Sequence, residues 1–387
     1  MLDYYTFNLP TRIEFGIGKI ARLIDYISEL NGSRIMLLTD AGLKEAGIVE
    51  KVTELLDQAE IYYVTFDEIK PNPRDYDCMT AYELAKKEEV DLLIGLGGGS
   101  CMDTAKAVGT LLTHGGTIKD WYGLNNLQQS ITPLICIPTT AGTGSEITFF
   151  SVITDSETKL KMNILDNKLA PKIAILDPEL TVTLPPSVTA STGMDALTHA
   201  IEAYTCTVAE PITDALALYA IDLIVNNLES AVHNGTNLEA RKNMLIGSLI
   251  AGIAFGNSDV GGVHCMAEAL GGLYDTPHGV ANSMILPYVF EYNIPSNIEK
   301  HMMVSKLLGV NVEGKSKEEI AYAGVEKLTK LAEGIGIPKM KDLSYVKQVD
   351  FDYLAEGATQ NVSASSNPRK ASKEDYILLF EKAFHGN

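Results

Sequence analysis

Two side chains that often bind metal ions stand four residues apart near the middle of the chain. Asp195 and His199 occupy positions i and i+4 of the segment 192–204, whose small and apolar residues predict the opening of a helix. On that helix the carboxylate and the imidazole share one face. If buried, both need a partner, and a divalent cation can serve both. Taken alone, an Asp–His hydrogen bond on a solvated helix face is the more ordinary interpretation.

Two further histidines, His264 and His278, follow in largely apolar surroundings. Of the seven histidines in the chain, only these two and His199 lie in segments that look buried. Together with Asp195 they form a set of one carboxylate and three imidazoles. Such a mixed oxygen and nitrogen set suits Fe(II), Zn(II) or Mn(II), and the Irving–Williams order does not decide among them.

Length and composition limit the classes of function. The chain has 387 residues, of which 46% are hydrophobic and 21% charged, as is typical of a globular enzyme of two domains. Its net charge of -19 and isoelectric point near 4.8 argue against binding to nucleic acid or to an acidic membrane, because those surfaces would repel it. The expected partners are small molecules and further copies of the chain.

The N-terminus and the cysteines favour the cytoplasm. The first seven residues lack the basic and apolar regions of a signal peptide, and no unbroken run of about 18 apolar residues is present to span a bilayer. The five cysteines are scattered, odd in number and without a Cys-x-x-Cys pair, as expected of reduced thiols. A cytoplasmic protein is therefore predicted.

The secondary structure that must position these side chains is predicted to change near Leu184-Pro185-Pro186, from alternating strands and helices to helices alone. Before this point, short apolar runs that predict strands alternate with segments of helical period, so residues 1–186 are predicted to form a doubly wound, parallel-sheet α/β domain. After it, apolar residues recur only at helical spacing, and residues 187–387 are predicted to be all-helical. The predicted strands are 11–17, 34–40, 61–66, 90–96, 133–137 and 172–177. The predicted helices are 42–58, 75–88, 212–228, 237–254, 296–308, 317–334 and 373–384.

A glycine-rich turn, Gly97-Gly98-Gly99-Ser100, joins a predicted strand to a predicted helix. Glycines allow a ligand to approach the backbone closely, and the free N–H groups at a helix start favour an anion such as a pyrophosphate. In an open parallel sheet, ligands collect at the carboxyl ends of the strands. The turn lacks the Gly-x-Gly-x-x-Gly pattern, and a purely structural turn is the alternative.

Two other strand ends offer polar groups. The segment 138–146 follows a strand and contains Thr139, Thr140 and Thr143, which could hold phosphate or ribose oxygens or could instead bond their own backbone. Asp40 ends an earlier strand, where a carboxylate can accept from the ribose hydroxyls of NAD and repel the 2′-phosphate of NADP. Alternatively, Asp40 is the N-cap of the next helix.

Four motifs, in order along essentially the whole chain, make the sequence resemble the iron-containing (group III) alcohol dehydrogenase family. They are Gly-Gly-Gly-Ser-x-x-Asp-x-x-Lys at 97–106, Pro-Thr-Thr-Ala-Gly-Thr-Gly-Ser-Glu at 138–146, Gly-Met-Asp-Ala-Leu-Thr-His-Ala-Ile-Glu at 193–202 and Pro-His-Gly-Val-Ala-Asn at 277–282. The resemblance implies an N-terminal dinucleotide-binding domain, 1–186, and a C-terminal helical metal-binding and substrate domain, 187–387. It places metal and nicotinamide in the cleft between them, in a dimer whose interface includes the early strand near residues 5–15.

The resemblance also implies roles for individual residues. The implied metal ligands, usually for Fe(II), are Asp195, His199, His264 and His278. The implied NAD contacts are Asp40 and Asn72 near the adenosine, Gly97, Gly98, Gly99 and Ser100 on the pyrophosphate, Thr139, Thr140 and Thr143 on the diphosphate and nicotinamide side, and Lys161 and Leu180 beside the nicotinamide ribose.

The sequence departs from the family pattern in places that affect the site. Many members have a second histidine where this chain has Glu268, four residues after His264. On one helix face with His264, Glu268 could bond a water at the metal, replace a ligand or add negative charge; the first role is predicted. The segment 361–369 lacks the usual Thr-Gly-Gly before Asn-Pro-Arg, and three phenylalanines would narrow the pocket: Phe149, Phe150 and Phe255.

The predicted activity is metal-dependent, reversible hydride transfer between NAD(H) and a small primary alcohol or its aldehyde, such as lactaldehyde, propanediol or butanol. The metal acts as a Lewis acid, and the site holds the carbonyl carbon near the nicotinamide. One alternative is a metal-dependent lyase or hydrolase that acts on a phosphorylated small molecule, with Glu268 as general base. Another is a nucleotide-binding or filament-forming subunit without catalysis. A homodimer or higher homo-oligomer is expected.

Overall fold

The computed structural model describes residues 4–159 and 161–386, which divide into two compact units. One unit runs from Asn8 to Leu184 and contains parallel sheet and helices. The other comprises residues 4–7 together with the described chain from Pro185 onward. The assignment of the two halves to cofactor and metal binding stays a prediction at this level.

The first unit alternates strands and helices. Its strands are β1 (Arg12–Phe15), β2 (Arg34–Leu38), β3 (Tyr62–Phe66), β4 (Leu92–Gly97), β5 (Gly123–Leu124), β6 (Leu134–Pro138), β7 (Phe150–Thr154), β8 (Lys161–Leu165) and β9 (Ile173–Leu176). Its α-helices are α1 (Leu23–Glu29), α2 (Ala41–Glu45), α3 (Ile48–Gln58), α4 (Asp75–Lys87), α5 (Gly99–His114) and α6 (Ile118–Trp121).

Six strands form one parallel sheet in the order β1-β9-β6-β4-β2-β3. The central strands β4 and β6 are buried along their whole length, because helices cover both faces and each face has its own apolar core. The chain runs from β2 outward to β3 and then returns to β4 on the other side of β2. The direction of winding therefore reverses between β2 and β4, where open α/β sheets bind their ligands. The predicted doubly wound fold is confirmed.

A second, small sheet in this unit was not predicted. It has the order β5-β8-β7, with β7 and β8 antiparallel. Its strands are two to five residues long, and β8 alternates partly buried with buried residues instead of forming an apolar run. Such short strands give little sequence signal because their pairing partners, not their own composition, stabilise them.

The single helix predicted over residues 42–58 is wrong. The segment forms the two helices α2 and α3, separated at Gly47, whose φ of 71° is left-handed. Glycine adopts this conformation without steric cost, so it ends one helix and starts the next. The apolar spacing is helical on both sides of the break, and for this reason periodicity alone did not reveal it.

The second unit contains helices and connecting loops, and no strand among its described residues. Its α-helices are α7 (Pro186–Thr205), α8 (Pro211–His233), α9 (Leu238–Asn257), α10 (Gly262–Tyr274), α11 (His278–Asn293), α12 (Ile298–Leu307), α13 (Lys317–Gly334), α14 (Phe351–Gln360) and α15 (Lys373–His385). The predicted all-helical second half is confirmed. The segment 192–204 is not the opening of a helix, however: α7 starts at Pro186, whose fixed φ suits the first helical position, so the segment lies in the body of the helix.

Helix α7 is the buried centre of this unit, and α8, α9 and α11 pack on it. Helix α8 has a length and a mean hydropathy of 1.3 that would also be compatible with a membrane span. Core helices of globular domains have the same properties, and one such helix is weak evidence for a span.

Candidate metal centre and nucleotide-binding loops

Three helices bring four potential metal ligands together in the helical unit. Asp195 and His199 lie one turn apart on α7 and are 1% and 4% exposed, so the interpretation of a solvated helix face is wrong. His264 is the third residue of α10, and His278 is the first residue of α11. Helices α10 and α11 pack against each other, and α11 also packs on α7. This packing brings His264 and His278 to the pair on α7 and completes a set of four side chains.

The four side chains are close enough to share one ion. Each offers one ligand atom, and these atoms all lie within 4.8 Å of one another. The Asp195 carboxylate is 3.7 Å from His278 Nε2 and 4.0 Å from His199 Nδ1. The ring centroid of His264 is 4.5 Å from that of His199 and 5.2 Å from that of His278. The set predicted from the sequence is therefore one spatial cluster.

The chemistry of this donor set fits a divalent cation. Burial lowers the pKa of His199 to about 3 and that of His264 to about 4, so both imidazoles are neutral at pH 7 and have a lone pair available. Among the described residues, the buried Nδ1 of His199 has no hydrogen-bond partner. A buried polar atom without a partner is costly, and a cation bound by the cluster would help to stabilise these groups.

Asn282 belongs to the same cluster, although it was not predicted as a site residue. Its Nδ2 donates to Asp195 Oδ1 at 2.7 Å and lies 3.1 Å from Nε2 of both His264 and His278. The asparagine is fully buried and one helical turn after His278. That i+4 spacing was the available signal. Asn282 orients the Asp195 carboxylate toward the histidines.

Phe255 packs directly on a candidate ligand. Its ring stacks on the imidazole of His199, with centroids 4.2 Å apart and planes 12° from parallel. The phenylalanine is 7% exposed. It therefore restricts rotation of the His199 ring, in addition to its predicted effect on pocket width.

The structure changes the expectation about which histidines are buried, and it places Glu268 outside the four-residue cluster. His301 is also buried, where its Nδ1 lies 2.7 Å from the carbonyl oxygen of Asn297, and the side chain of His278 is one-third exposed. Among the described residues, three histidines are therefore buried, as predicted, but the third is His301 and not His278; the three selected are nevertheless those that cluster with Asp195. Glu268 is partly buried, accepts from Asn361 Nδ2 at 2.7 Å and is not one of the four clustered ligands. Its predicted catalytic role stays a prediction.

Gly279 allows α11 to approach α7 at the cluster. A Cβ at this position would lie 2.4 Å from the carbonyl oxygen of Ser191 and 3.3 Å from Cβ of Asp195. Gly279→Ala must therefore separate the two helices and move His278 away from Asp195. We expect at least about a tenfold loss of affinity for Zn(II), measured by competition with a chromophoric chelator. Gly357→Ala, whose Cβ would meet only an ordinary contact at 3.5 Å, is the control and should bind Zn(II) normally.

In the α/β unit, the glycine turn packs against the threonine loop. Gly97 has a φ of 146°, and Gly98 is the residue before α5. A Cβ at Gly99 would lie 2.9 Å from Thr143 Cγ2, and one at Gly98 would lie 3.5 Å from Thr140. Gly99 is therefore required for the close approach of the two loops, which places the start of α5 beside the Thr143 hydroxyl, whereas a Cβ at Gly98 would make only an ordinary contact. Thr143 Oγ1 also accepts from the backbone N–H of Ser145, so the loop partly bonds itself.

A fully buried lysine, missed as a site residue although it ends the first family motif, holds the threonine loop to α5. Lys106 Nζ donates to Ser145 Oγ at 2.9 Å and to the carbonyl oxygen of Phe150 at 2.8 Å. Asp103, one turn earlier, accepts from the same serine hydroxyl at 2.7 Å. The pKa of Lys106 lies below its ordinary value because burial disfavours the charged amine. The nearby carboxylate of Asp103 opposes this effect in part. The pair fixes the loop geometry next to the glycine turn.

The other predicted nucleotide contacts occupy several positions in this unit. Asp40 caps α2, accepting from Leu43 N–H at 3.0 Å, and also accepts from Cys101 Sγ at 3.5 Å, so the alternative N-cap role is present. Lys161 Nζ donates to Asn72 Oδ1 at 2.8 Å. The backbone N–H of Thr139 donates to the carbonyl oxygen of Gly97, and Ser100 lies in the first turn of α5. Leu180 packs in the apolar core and is 2% exposed.

Comparisons with known proteins match both halves of the chain. A family model described as iron-containing alcohol dehydrogenase matches residues 10–178, and one described as the C-terminal part of the Fe-containing alcohol dehydrogenase family matches residues 189–384. The 1,3-propanediol dehydrogenase of Klebsiella pneumoniae is 41% identical over 387 residues, covering 99% of each chain. The NAD-dependent methanol dehydrogenase of Bacillus methanolicus is 38% identical, covering 97% of this chain and 99% of that protein. A crystal structure of 1,3-propanediol oxidoreductase superposes with a TM-score of 0.95 at 41% identity, covering 98% of this chain and 100% of the other.

Proposed function

Because the chain belongs to the iron-containing alcohol dehydrogenase family and is a metal-dependent alcohol oxidoreductase, we propose that it transfers a hydride between NAD(H) and a short primary alcohol or its aldehyde. In the oxidative direction, the alcohol loses a hydride to NAD⁺ and a proton to solvent, giving aldehyde and NADH. The observation that best supports this proposal is the cluster of four potential metal ligands in the helical unit. The relatives are oxidoreductases, and nothing in them favours a lyase or hydrolase.

The proposal assigns the metal to this cluster, with iron(II) as the resident ion. The assigned ligands are Asp195, His199, His264 and His278. Iron is supported by the family description, and a set of one carboxylate and three imidazoles suits it as well as Zn(II) or Mn(II). A bound divalent cation supplies Lewis-acid chemistry toward an alcohol or carbonyl oxygen.

The residues of the chain itself hold and orient the groups around the ion. Asn282 donates to Asp195 Oδ1 and so fixes the direction of the carboxylate. Phe255 restricts the ring of His199 by stacking on it. Glu268, four residues after His264, is assigned the predicted hydrogen bond to a water at the metal, and its bond to Asn361 holds its carboxylate in place. Such preorganisation lowers the cost of reaching the reactive geometry.

The proposal assigns NAD to the carboxyl edge of the large sheet. Asp40 follows β2, and the glycine turn follows β4, at the two strands where the winding reverses. The N–H groups at the start of α5 suit a pyrophosphate, and the carboxylate of Asp40 suits unphosphorylated ribose. The further NAD contacts assigned are Asn72, Gly97, Gly98, Gly99, Ser100, Thr139, Thr140, Thr143, Lys161 and Leu180. The name of the Bacillus methanolicus relative also supports NAD.

Two properties of the protein in the cell are part of the proposal. We assign it to the cytoplasm, consistent with five free cysteines in the described structure. We also propose a homodimer or higher homo-oligomer. Strand β1 is at the edge of the six-stranded sheet, and an edge strand offers unpaired backbone groups to a second copy.

A substrate-panel assay tests the function directly. Protein loaded separately with Fe(II) and Zn(II) is mixed with NADH or NADPH and with lactaldehyde, a propanediol-derived aldehyde, butanal or an anionic short aldehyde. We expect NADH to be consumed with at least one neutral short aldehyde, and consumption to stop on chelation and return on adding Fe(II). Failure to consume NADH with every aldehyde and both metals would contradict the proposal. Turnover of a phosphorylated compound without nicotinamide would favour the lyase or hydrolase instead.

A further inference from the structure

Glu202 lies on the same stripe of α7 as the two ligands of that helix. Asp195, His199 and Glu202 occupy positions i, i+4 and i+7, so their side chains line up along one face. The Glu202 side chain is 5% exposed, and its Oε2 lies 2.5 Å from Nδ1 of His264. A buried carboxylate is thus in direct contact with a candidate ligand from another helix.

The orientation of the His264 ring determines which nitrogen faces each partner. Nδ1 faces Glu202, whereas Nε2 faces the cluster, 3.1 Å from Asn282 Nδ2. When the Glu202 carboxylate is ionised it can only accept, so Nδ1 then holds the ring proton. A neutral imidazole protonated at Nδ1 has its lone pair at Nε2, toward the cluster. Glu202 therefore selects the tautomer that can bind a cation there.

The other oxygen of Glu202 holds the start of α10. Oε1 accepts from the backbone N–H of Val263 at 2.7 Å, in the first turn of the helix. A Cβ at Gly261 would lie only 3.1 Å from this oxygen, so the glycine keeps the approach open. Asn367 Oδ1 accepts from the preceding N–H, that of Gly262, at 2.9 Å. The Glu202 carboxylate thus holds both the start of α10 and the imidazole ring of His264, which projects from that helix.

We propose that Glu202 is a positioning residue of the metal centre: it fixes the tautomer and direction of His264 by accepting from Nδ1–H. This inference deepens the proposed function and rests on its assignment of His264 as a ligand. Carboxylates in this position behind a ligating histidine also make the imidazole a stronger donor. The alternative is that Glu202 only caps α10.

Glu202→Gln separates the two roles. The amide has one acceptor oxygen, which is needed by the N–H of Val263, so its NH₂ group faces His264 Nδ1. The ring must then accept at Nδ1 and hold its proton at Nε2, where the cation would bind. We expect affinity for Zn(II), measured by chelator competition on the full chain, to fall about 10- to 100-fold.

Glu210 offers a matched control. It is 2% exposed and caps α8 by accepting from the N–H groups of Ile212 and Thr213, and the described structure shows no histidine bonded to it. Glu210→Gln perturbs a buried cap in the same way but should leave Zn(II) affinity unchanged. If the two variants lose affinity equally, or if Glu202→Gln binds Zn(II) like the parent chain, the positioning role is overturned.

A measurement on the unsubstituted protein makes the inference independent of how the variants fold. With ¹⁵N-labelled histidine in the Zn(II)-loaded chain, we expect His264 to show a protonated Nδ1 and a metal-bound, unprotonated Nε2. A proton on Nε2 would overturn the inference. The proposed hydride transfer is tested separately. If the parent chain oxidises NADH while His264 holds its proton on Nε2, the positioning role fails but the proposed function stands. Absence of both metal binding and turnover in the parent chain would instead contradict the function.

Discussion

Asp195→Ala and His264→Ala should each abolish turnover while leaving NADH binding intact. Each substitution removes one of four potential ligand atoms that lie within 4.8 Å of one another, in a largely buried cluster whose only carboxylate is that of Asp195. We expect purified protein with little bound iron and a loss of kcat/KM of at least about 1000-fold, since the Lewis acid is lost together with its ligand. Metal content, steady-state kinetics and NADH fluorescence titration measure the three quantities.

His233→Ala is the control for this experiment. His233 is exposed at the end of α8, outside the cluster, so its variant should retain metal, NADH binding and turnover. Loss of NADH binding in parallel with turnover in the Asp195 or His264 variant would indicate unfolding. Full metal content with normal turnover in either variant would show that the ligand assignment is wrong.

Asp40→Ser should shift the preference of the protein from NADH toward NADPH. The carboxylate follows β2 at the point where the sheet reverses its winding, and its negative charge repels a 2′-phosphate. Serine keeps a side-chain acceptor for the N–H of Leu43, so the cap of α2 is largely retained. We expect the ratio of kcat/KM for NADPH to that for NADH to rise about tenfold or more.

The comparison for the cofactor experiment is Asp25→Ser. This carboxylate lies on α1, more than half exposed and paired with Arg22, and is not among the assigned nucleotide contacts. Its variant loses the same charge but should keep the parent ratio. An unchanged ratio in a folded Asp40→Ser protein would mean that Asp40 serves only as the helix cap. Equal shifts in both variants would indicate a general effect of charge.

Prediction from sequence succeeded where the signal lies within one element. The four-residue spacing of Asp195 and His199, the glycine turn after β4 and the alternation of strands with helices all depend on neighbours along the chain. Prediction from sequence failed where packing against another element determines the structure or burial of a segment. The small sheet, the buried lysine at 106 and the burial of His301 each depend on what packs against the segment.

The role of Glu202 shows the same limit. The sequence contains it within the quoted motif at helical spacing from both candidate ligands of α7, yet nothing local distinguishes a core carboxylate from a partner of His264. Asn282 is similar, because its bond to Asp195 joins positions that are 87 residues apart. Spacing could have marked both residues but not their contacts, since each contact requires two helices to meet at a defined angle.

By itself, therefore, the sequence determined which residue types are available, which of them share a helix face or a strand end, and which family the motifs resemble. Local geometry fixes these features because a side chain's direction repeats every 3.6 residues in a helix and every two in a strand. Only the tertiary structure decided that α10 and α11 bring His264 and His278 to Asp195, and which ring nitrogen of His264 faces the cluster. Those relations arise from the packing of distant segments, whose mutual orientation is set by the whole core and not by any one stretch of chain.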